Sequence, residues 1–77
     1  SVRHVGGRAF LLRDRTWIDA SLVDAGQSIK MDRLVTVGSP AFAQLLSELA
    51  AEGRAGYLAL PGNVIYDRGT EVVFVER

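Results

Sequence analysis

The sequence predicts an α+β domain in which one helix covers a small, bent, mainly antiparallel sheet or partly open barrel. Three observations support this fold class. Short β-prone runs lie at both ends of the chain, tight two-residue breaks separate the first of them, and one amphipathic helix interrupts the series. The expected order is β-β-β-β-α-β-β, with all 77 residues in a single domain.

The N-terminal third has the pattern of a three-stranded meander. Residues 2–5 and 8–13 are β-prone runs on either side of Gly6-Gly7, a pair that tolerates the positive φ angles of a tight hairpin turn. A second two-residue break, Asp14-Arg15, leads into a third run at residues 16–19. We therefore expect two consecutive hairpins.

The next segment has a weaker pattern. Residues 20–28 show no sustained period and are interpreted as a connecting loop with room for one helical turn. From Ile29 to Asp32 apolar and polar residues alternate, and the segment ends in the apolar-rich run 34–37. This pattern predicts one bent strand or two short ones.

The clearest element is a helix that starts after Gly38. Ser39 is a favourable N-cap, Pro40 sits at the first helical position, and Gly53 supplies a left-handed stop. Four large apolar residues recur at helical spacing and predict a face that packs on the sheet: Phe42, Leu45, Leu46 and Leu49.

The C-terminal segment predicts a final hairpin. Residues 57–60 run into Pro61-Gly62-Asn63, which fits a tight turn, and the runs 64–66 and 71–76 flank the turn 67–70. The expected core combines the apolar residues of all these elements: Val5, Phe10, Leu12, Trp17, Ile18, Val35, Val37, Phe42, Leu45, Leu46, Leu49, Leu58, Leu60, Ile65, Val73 and Val75.

Composition narrows the class of function. Nine basic and nine acidic residues balance, so the chain lacks the strong positive field of most nucleic-acid binders. There is no cysteine and one histidine, His4, and the aspartates lack the spacing of a calcium loop. The longest apolar runs fall far short of a membrane span. We expect no catalytic, cofactor-binding or metal-binding residue and no membrane insertion.

The N-terminal meander carries the candidate interaction residues. Arginines interleave with aromatic residues there, as on sheets that bind single-stranded nucleic acid, but strand alternation divides them between two faces. Large apolar residues also occur on both faces, and one helix can cover only one of them. We therefore expect an apolar patch of a few hundred Å² on the face away from the helix. The predicted interaction surface comprises Arg8, Leu11, Arg13, Arg15 and Trp17.

Residues 5–14 (VGGRAFLLRD) and 16–19 (TWID) resemble the start of a small C-terminal region in certain bacterial proteins. Those proteins combine a vault/inter-alpha-trypsin domain with a von Willebrand factor type A domain. Residues 37–46 and 57–62 are similar to the same region in their order of strand, helix, turn and last hairpin. The family usually has Gly where this chain has Arg15, and an aromatic pair where it has only Phe42.

The resemblance implies an accessory domain, excised from a larger adhesion-type protein that is secreted, periplasmic or on the cell surface. The metal-dependent ligand site of such a protein would lie in its von Willebrand domain.

The function expected here is a non-catalytic accessory or protein-interaction module without a cofactor. Its partners would be other domains of the parent protein, another protein or a second copy. The alternative is a small β-rich nucleic-acid-binding domain that uses the arginines and aromatic residues of the meander. The residues themselves do not indicate a compartment.

Overall fold

The computed structural model describes residues 1–23 and 28–77. Within them it has one α-helix and a six-stranded sheet of order β1-β2-β3-β5-β6-β4. The sheet is not closed, because β1 and β4 form its two edges. The α+β class and the order of elements are confirmed. The elements are β1 (Val2–Val5), β2 (Arg8–Arg13), β3 (Thr16–Asp19), β4 (Arg33–Thr36), α1 (Pro40–Ala51), β5 (Asn63–Asp67) and β6 (Val72–Glu76).

The sheet is mixed. Strands β1, β2 and β3 form an antiparallel meander, and β5 and β6 form an antiparallel hairpin. The two units join through a parallel pairing of β3 with β5, and β4 pairs parallel with β6. The sequence predicts the hairpins because their turns are local, whereas the parallel pairings join segments that lie far apart in the chain.

The connecting segments differ in detail from expectation. A 3₁₀ turn at Ala20–Leu22 supplies the helical turn expected in the loop at residues 20–28, of which residues 24–27 lie outside the described part of the chain. The strand expected from Ile29 onward begins only at Arg33. A second 3₁₀ segment, Ala55–Ala59, follows α1 and packs beside it.

Helix α1 is capped at both ends as its sequence predicts. The Ser39 hydroxyl accepts a hydrogen bond from the Phe42 N–H at 3.1 Å. At the C-terminal end Gly53 has a φ of 75°, and the Arg54 N–H reaches back to the Leu49 carbonyl at 2.7 Å. This is the Schellman arrangement, which satisfies carbonyls that the last turn leaves free.

The core lies between one face of the sheet and the layer formed by α1 and Ala55–Ala59. Most predicted core residues are buried there or packed against it. Two predictions are wrong, since Leu12 is 39% and Leu46 is 40% exposed. Leu46 lies at the margin of the helix face, whose buried residues are Leu45 and Leu49. Leu12 lies near the end of β2 and lines a surface groove. Among the described residues, three buried aliphatic or aromatic ones were not predicted, namely Tyr57, Val64 and Tyr66, and neither was the buried Asp19.

The turn between β2 and β3 stores backbone strain. Asp14 and Arg15 have φ angles of 47° and 64°, which is the left-handed region that disfavours side chains with a Cβ. Both central residues of a two-residue hairpin turn then have positive φ, as in type I′. Arg15 accepts this conformation where glycine would adopt it without steric cost.

We expect Arg15→Gly to raise the free energy of unfolding by about 0.5–1 kcal/mol, because it relieves the left-handed strain. Gly7→Ala is the matched control: Gly7 has a φ of 79° in the first hairpin, and an added Cβ there meets no atom within 4 Å. It should therefore lower stability through backbone strain alone, by about 1 kcal/mol. Urea melts of the two variants measure both effects, and a destabilised Arg15→Gly variant would contradict the strain assignment.

Candidate interaction surface

The sheet face turned away from α1 carries one apolar side chain from each of the six strands. The register places these residues directly opposite one another, so that they form a continuous line across the sheet. Side chains opposite one another on one face of a sheet are close enough to pack. We call this line the apolar row: Val2, Leu11, Ile18, Ile65, Phe74 and Leu34.

Exposure varies along the apolar row. Its two ends are open, with Val2 54% and Leu34 58% exposed, while Leu11 and Phe74 are half-buried. At the centre Ile18 and Ile65 are each 8% exposed. The most accessible apolar surface therefore lies on the two edge strands and continues inward through Leu11 and Phe74.

A polar rim borders the apolar row on the side of the Asp14-Arg15 turn. Arg13 and Thr16 are opposite one another there, and Thr16 is opposite Asn63. At the same end of the strands Glu76 is opposite Thr36. The rim is thus basic on the β2 side and acidic on the β6 side. Among the residues that the structure describes, neither Arg13 nor Glu76 forms an ion pair with another side chain.

The five residues of the predicted interaction surface do not come together. Leu11 belongs to the apolar row and Arg13 to its polar rim, so these two share a face. Arg8 and Trp17 lie on the opposite face, as the period-2 alternation of strands requires. Arg15 lies in the turn, and Trp17 is only 4% exposed.

Arg8 forms part of a buried polar cluster centred on Asp19. The Asp19 carboxylate is fully buried and accepts hydrogen bonds from the Arg8 guanidinium, the Asp67 N–H at 3.0 Å, and the N–H and hydroxyl of Ser21. Arg8 also donates to the Asp67 carbonyl and lies over the Tyr57 ring, with its guanidinium carbon 5.6 Å from the ring centre. The cluster ties β2, β3 and β5 together.

The charges of this cluster stabilise one another. Burial alone would raise the pKa of Asp19, but the hydrogen bonds from Asp67 and Ser21, together with Arg8, outweigh burial and hold the pKa below its ordinary value. Burial alone would lower the pKa of Arg8, and the hydrogen bond and charge of Asp19 raise it instead. A cleft of about 490 Å³ adjoins the cluster. Every polar atom of the Asp19 carboxylate is already occupied, so its role is structural.

Trp17 and Arg15 border a separate groove of about 620 Å³. The Trp17 ring N–H donates to the Pro61 carbonyl at 3.1 Å, and the Arg3 guanidinium lies 5.2 Å from the centre of the Trp17 ring. Leu12 also lines the groove, which accounts for its exposure. These contacts join β1, β3 and the turn before β5.

Charged residues also join α1 to the last hairpin. Arg68 pairs with Glu48 of the helix at 2.9 Å, with its C-cap residue Glu52 at 3.0 Å, and with Glu71 at 3.5 Å. Beneath them, burial raises the pKa of the Tyr66 hydroxyl to about 12. The network fixes the C-terminal half of α1 over the sheet.

Two kinds of site are not found in the part of the chain that the structure describes. No group of three His, Cys, Asp or Glu side chains is placed to hold a metal ion within residues 1–23 and 28–77. No helix among the same residues is long and apolar enough to cross a membrane.

Comparison with known proteins does not assign this chain to a family. No family model matches the chain, and neither a curated protein nor a solved structure shows significant similarity to it.

Proposed function

We propose that this chain is a non-catalytic protein-interaction module whose apolar row contacts the surface of another protein domain. The observation that supports this function is the row itself, in which all six strands present an apolar residue in register on the face opposite the helix. Ile18 and Ile65 at the centre are 8% exposed, so the accessible apolar surface of the row lies towards its two ends, and clustered exposed apolar surface is typical of a contact site.

The surroundings of the row support the same function. Protein interfaces combine an apolar centre with a polar, solvent-accessible rim. Here Leu11 and Phe74 extend the row inward from exposed ends, and Arg13 and Glu76 stand on the rim. Both rim residues are exposed, so their charges are available to a partner.

The sequence resemblance suggests the setting in which the module works. In the von Willebrand factor A-containing proteins that it resembles, such a region accompanies larger domains. We therefore propose an accessory role in an adhesion-type protein, with either a neighbouring domain or another protein chain on the apolar row. The metal-dependent chemistry of such a protein would belong to its other domains.

We do not propose a nucleic-acid-binding function, because no observation on the described residues favours it over protein binding. That function needs arginine and aromatic side chains on one surface. Arg8 is engaged with Asp19, Arg13 lies on the opposite face, and Trp17 is buried beneath Arg3.

Site-specific photo-crosslinking tests the proposed function. A photoreactive amino acid replaces Leu34 in the polypeptide at its natural length, in the cells that produce it. We expect crosslinks to one defined peptide, identified by mass spectrometry, because Leu34 lies at the exposed end of the row. The same probe at Ala50, an exposed position on α1, is the matched control. Crosslinking at position 34 that does not exceed the control would contradict the proposal.

A further inference from the structure

We infer that the apolar row binds the apolar row of a second copy of this chain, so that two sheets pack face to face about a twofold axis. This inference rests on the proposed function and names its partner. It follows from the order in which the row and its charged rim cross the sheet.

The strand order makes the face self-complementary. The centre of the row lies between β3 and β5. A twofold axis along the strands at this point reverses the strand order of the second copy, and therefore places β2 over β6 and β1 over β4. Leu11 then faces Phe74 of the second copy, and the exposed Val2 faces the exposed Leu34. Each apolar contact occurs twice, as in any isologous dimer.

The same operation pairs the rim charges. Arg13 on β2 and Glu76 on β6 lie at the same end of the strands, and each is one strand away from the central pair. The twofold axis therefore sets Arg13 of each copy against Glu76 of the other. Within one copy the two strands are three spacings apart, about 14 Å, which is too far for a direct ion pair. Arg13 and Glu76 can therefore form an ion pair with each other only between copies.

The size of the face indicates a weak dimer. Six strands about 4.8 Å apart and about five residues long limit the face to about 450 Å² per copy, hence about 900 Å² in the dimer. The area newly buried is smaller, because Ile18 and Ile65 at the centre are already only 8% exposed in the single chain. This is below the range of standard stable interfaces and within that of transient ones. We expect a dissociation constant of about 10–100 μM.

Sedimentation equilibrium of the 77-residue chain up to about 1 mM is the first measurement. Leu34→Lys should weaken association at least tenfold, because it places a charge at the end of the row. Leu46→Lys is the matched control, since Leu46 is an exposed leucine on α1, away from this face. It should leave association unchanged. Circular dichroism checks that both variants are folded.

Charge reversal tests the twofold geometry. In a dimer of the Arg13→Glu variant, an acidic residue at position 13 faces Glu76 of the other copy in both rim contacts. In a dimer of the Glu76→Arg variant, Arg13 faces a basic residue at position 76 in both rim contacts. Each variant alone should therefore dimerise about tenfold more weakly, because like charges then face one another. An equimolar mixture should recover the affinity of the original chain, because both rim contacts in the mixed dimer are then between opposite charges.

Each contrary result has a defined meaning. A chain that stays monomeric up to 1 mM overturns this inference, while photo-crosslinks from Leu34 to a different protein would leave the proposed function intact. Dimerisation that depends on Leu34 but not on Arg13 or Glu76 also overturns it, because it indicates pairing of the β4 edges. A mixture that fails to recover affinity excludes the twofold arrangement.

Discussion

Asp19→Ala is expected to lower the free energy of unfolding by about 3–5 kcal/mol, a large part of the stability of a domain this small. The substitution removes the carboxylate that Arg8, Ser21 and the Asp67 N–H all share. It leaves a half-buried guanidinium without its partner and two backbone donors unsatisfied. A urea melt followed by circular dichroism measures the loss.

Ser21→Ala provides the graded control for Asp19. It removes one hydroxyl hydrogen bond to the same carboxylate and leaves the Arg8 pair in place, so its cost should be about 1 kcal/mol. A loss near zero for Asp19→Ala would show that the cluster is not a structural tie.

The effect of Asp19 should also depend on pH. Its pKa in the folded chain lies below the ordinary value of 3.8, so the folded state favours the charged carboxylate. Its contribution is therefore fully present above that value and is lost as pH falls through the lowered pKa of the folded state. The stability difference between the original chain and Asp19→Ala should be constant near neutral pH and should shrink below about pH 4.

Leu49→Ala is expected to cost about 2–5 kcal/mol, because Leu49 is fully buried between α1 and the sheet. Leu46→Ala makes the same chemical change three residues earlier on the same helix. Since Leu46 is 40% exposed, its loss should stay below about 1 kcal/mol. Helix propensity changes equally in the two variants, so the difference between their free energies of unfolding measures the contribution of side-chain packing.

Denaturant melts of the two variants measure the difference directly. Equal losses for Leu46→Ala and Leu49→Ala would mean that α1 lies on the sheet with a different face. Such a result would contradict the packing of Leu45 and Leu49 described above.

Much of the fold is predictable because its signals are local. The Gly6-Gly7 and Asp14-Arg15 breaks define two hairpins, and Ser39, Pro40 and Gly53 define the limits of α1. The exposure of Leu46 was not predictable. The helical spacing of apolar residues shows which side of α1 is apolar, but it does not show which of those residues point most directly at the sheet. The parallel joining of β3 to β5 has no local signal either, since it depends on which distant strands meet.

The candidate surface was predictable in part. Alternation along β2 places Leu11 and Arg13 on one face and Arg8 on the other, and the structure shows this division. The apolar row requires the register of all six strands, which the sequence of any one strand does not contain. The structural role of Asp19 was not predicted, because the sequence of a short strand does not distinguish a buried aspartate from an exposed one.

The parallel pairing of β3 with β5 has a consequence for the order of folding. The meander and the last hairpin each close over a few residues, so they can form early and separately. Their joining brings Trp17 beside Val64 across most of the chain and must first overcome the entropy of closing that long loop. Ile18 and Ile65 meet at this same joint, so we expect the centre of the apolar row to form late in folding. We therefore expect substitutions that weaken the pairing of β3 with β5 to leave apolar strand edges open to intermolecular pairing.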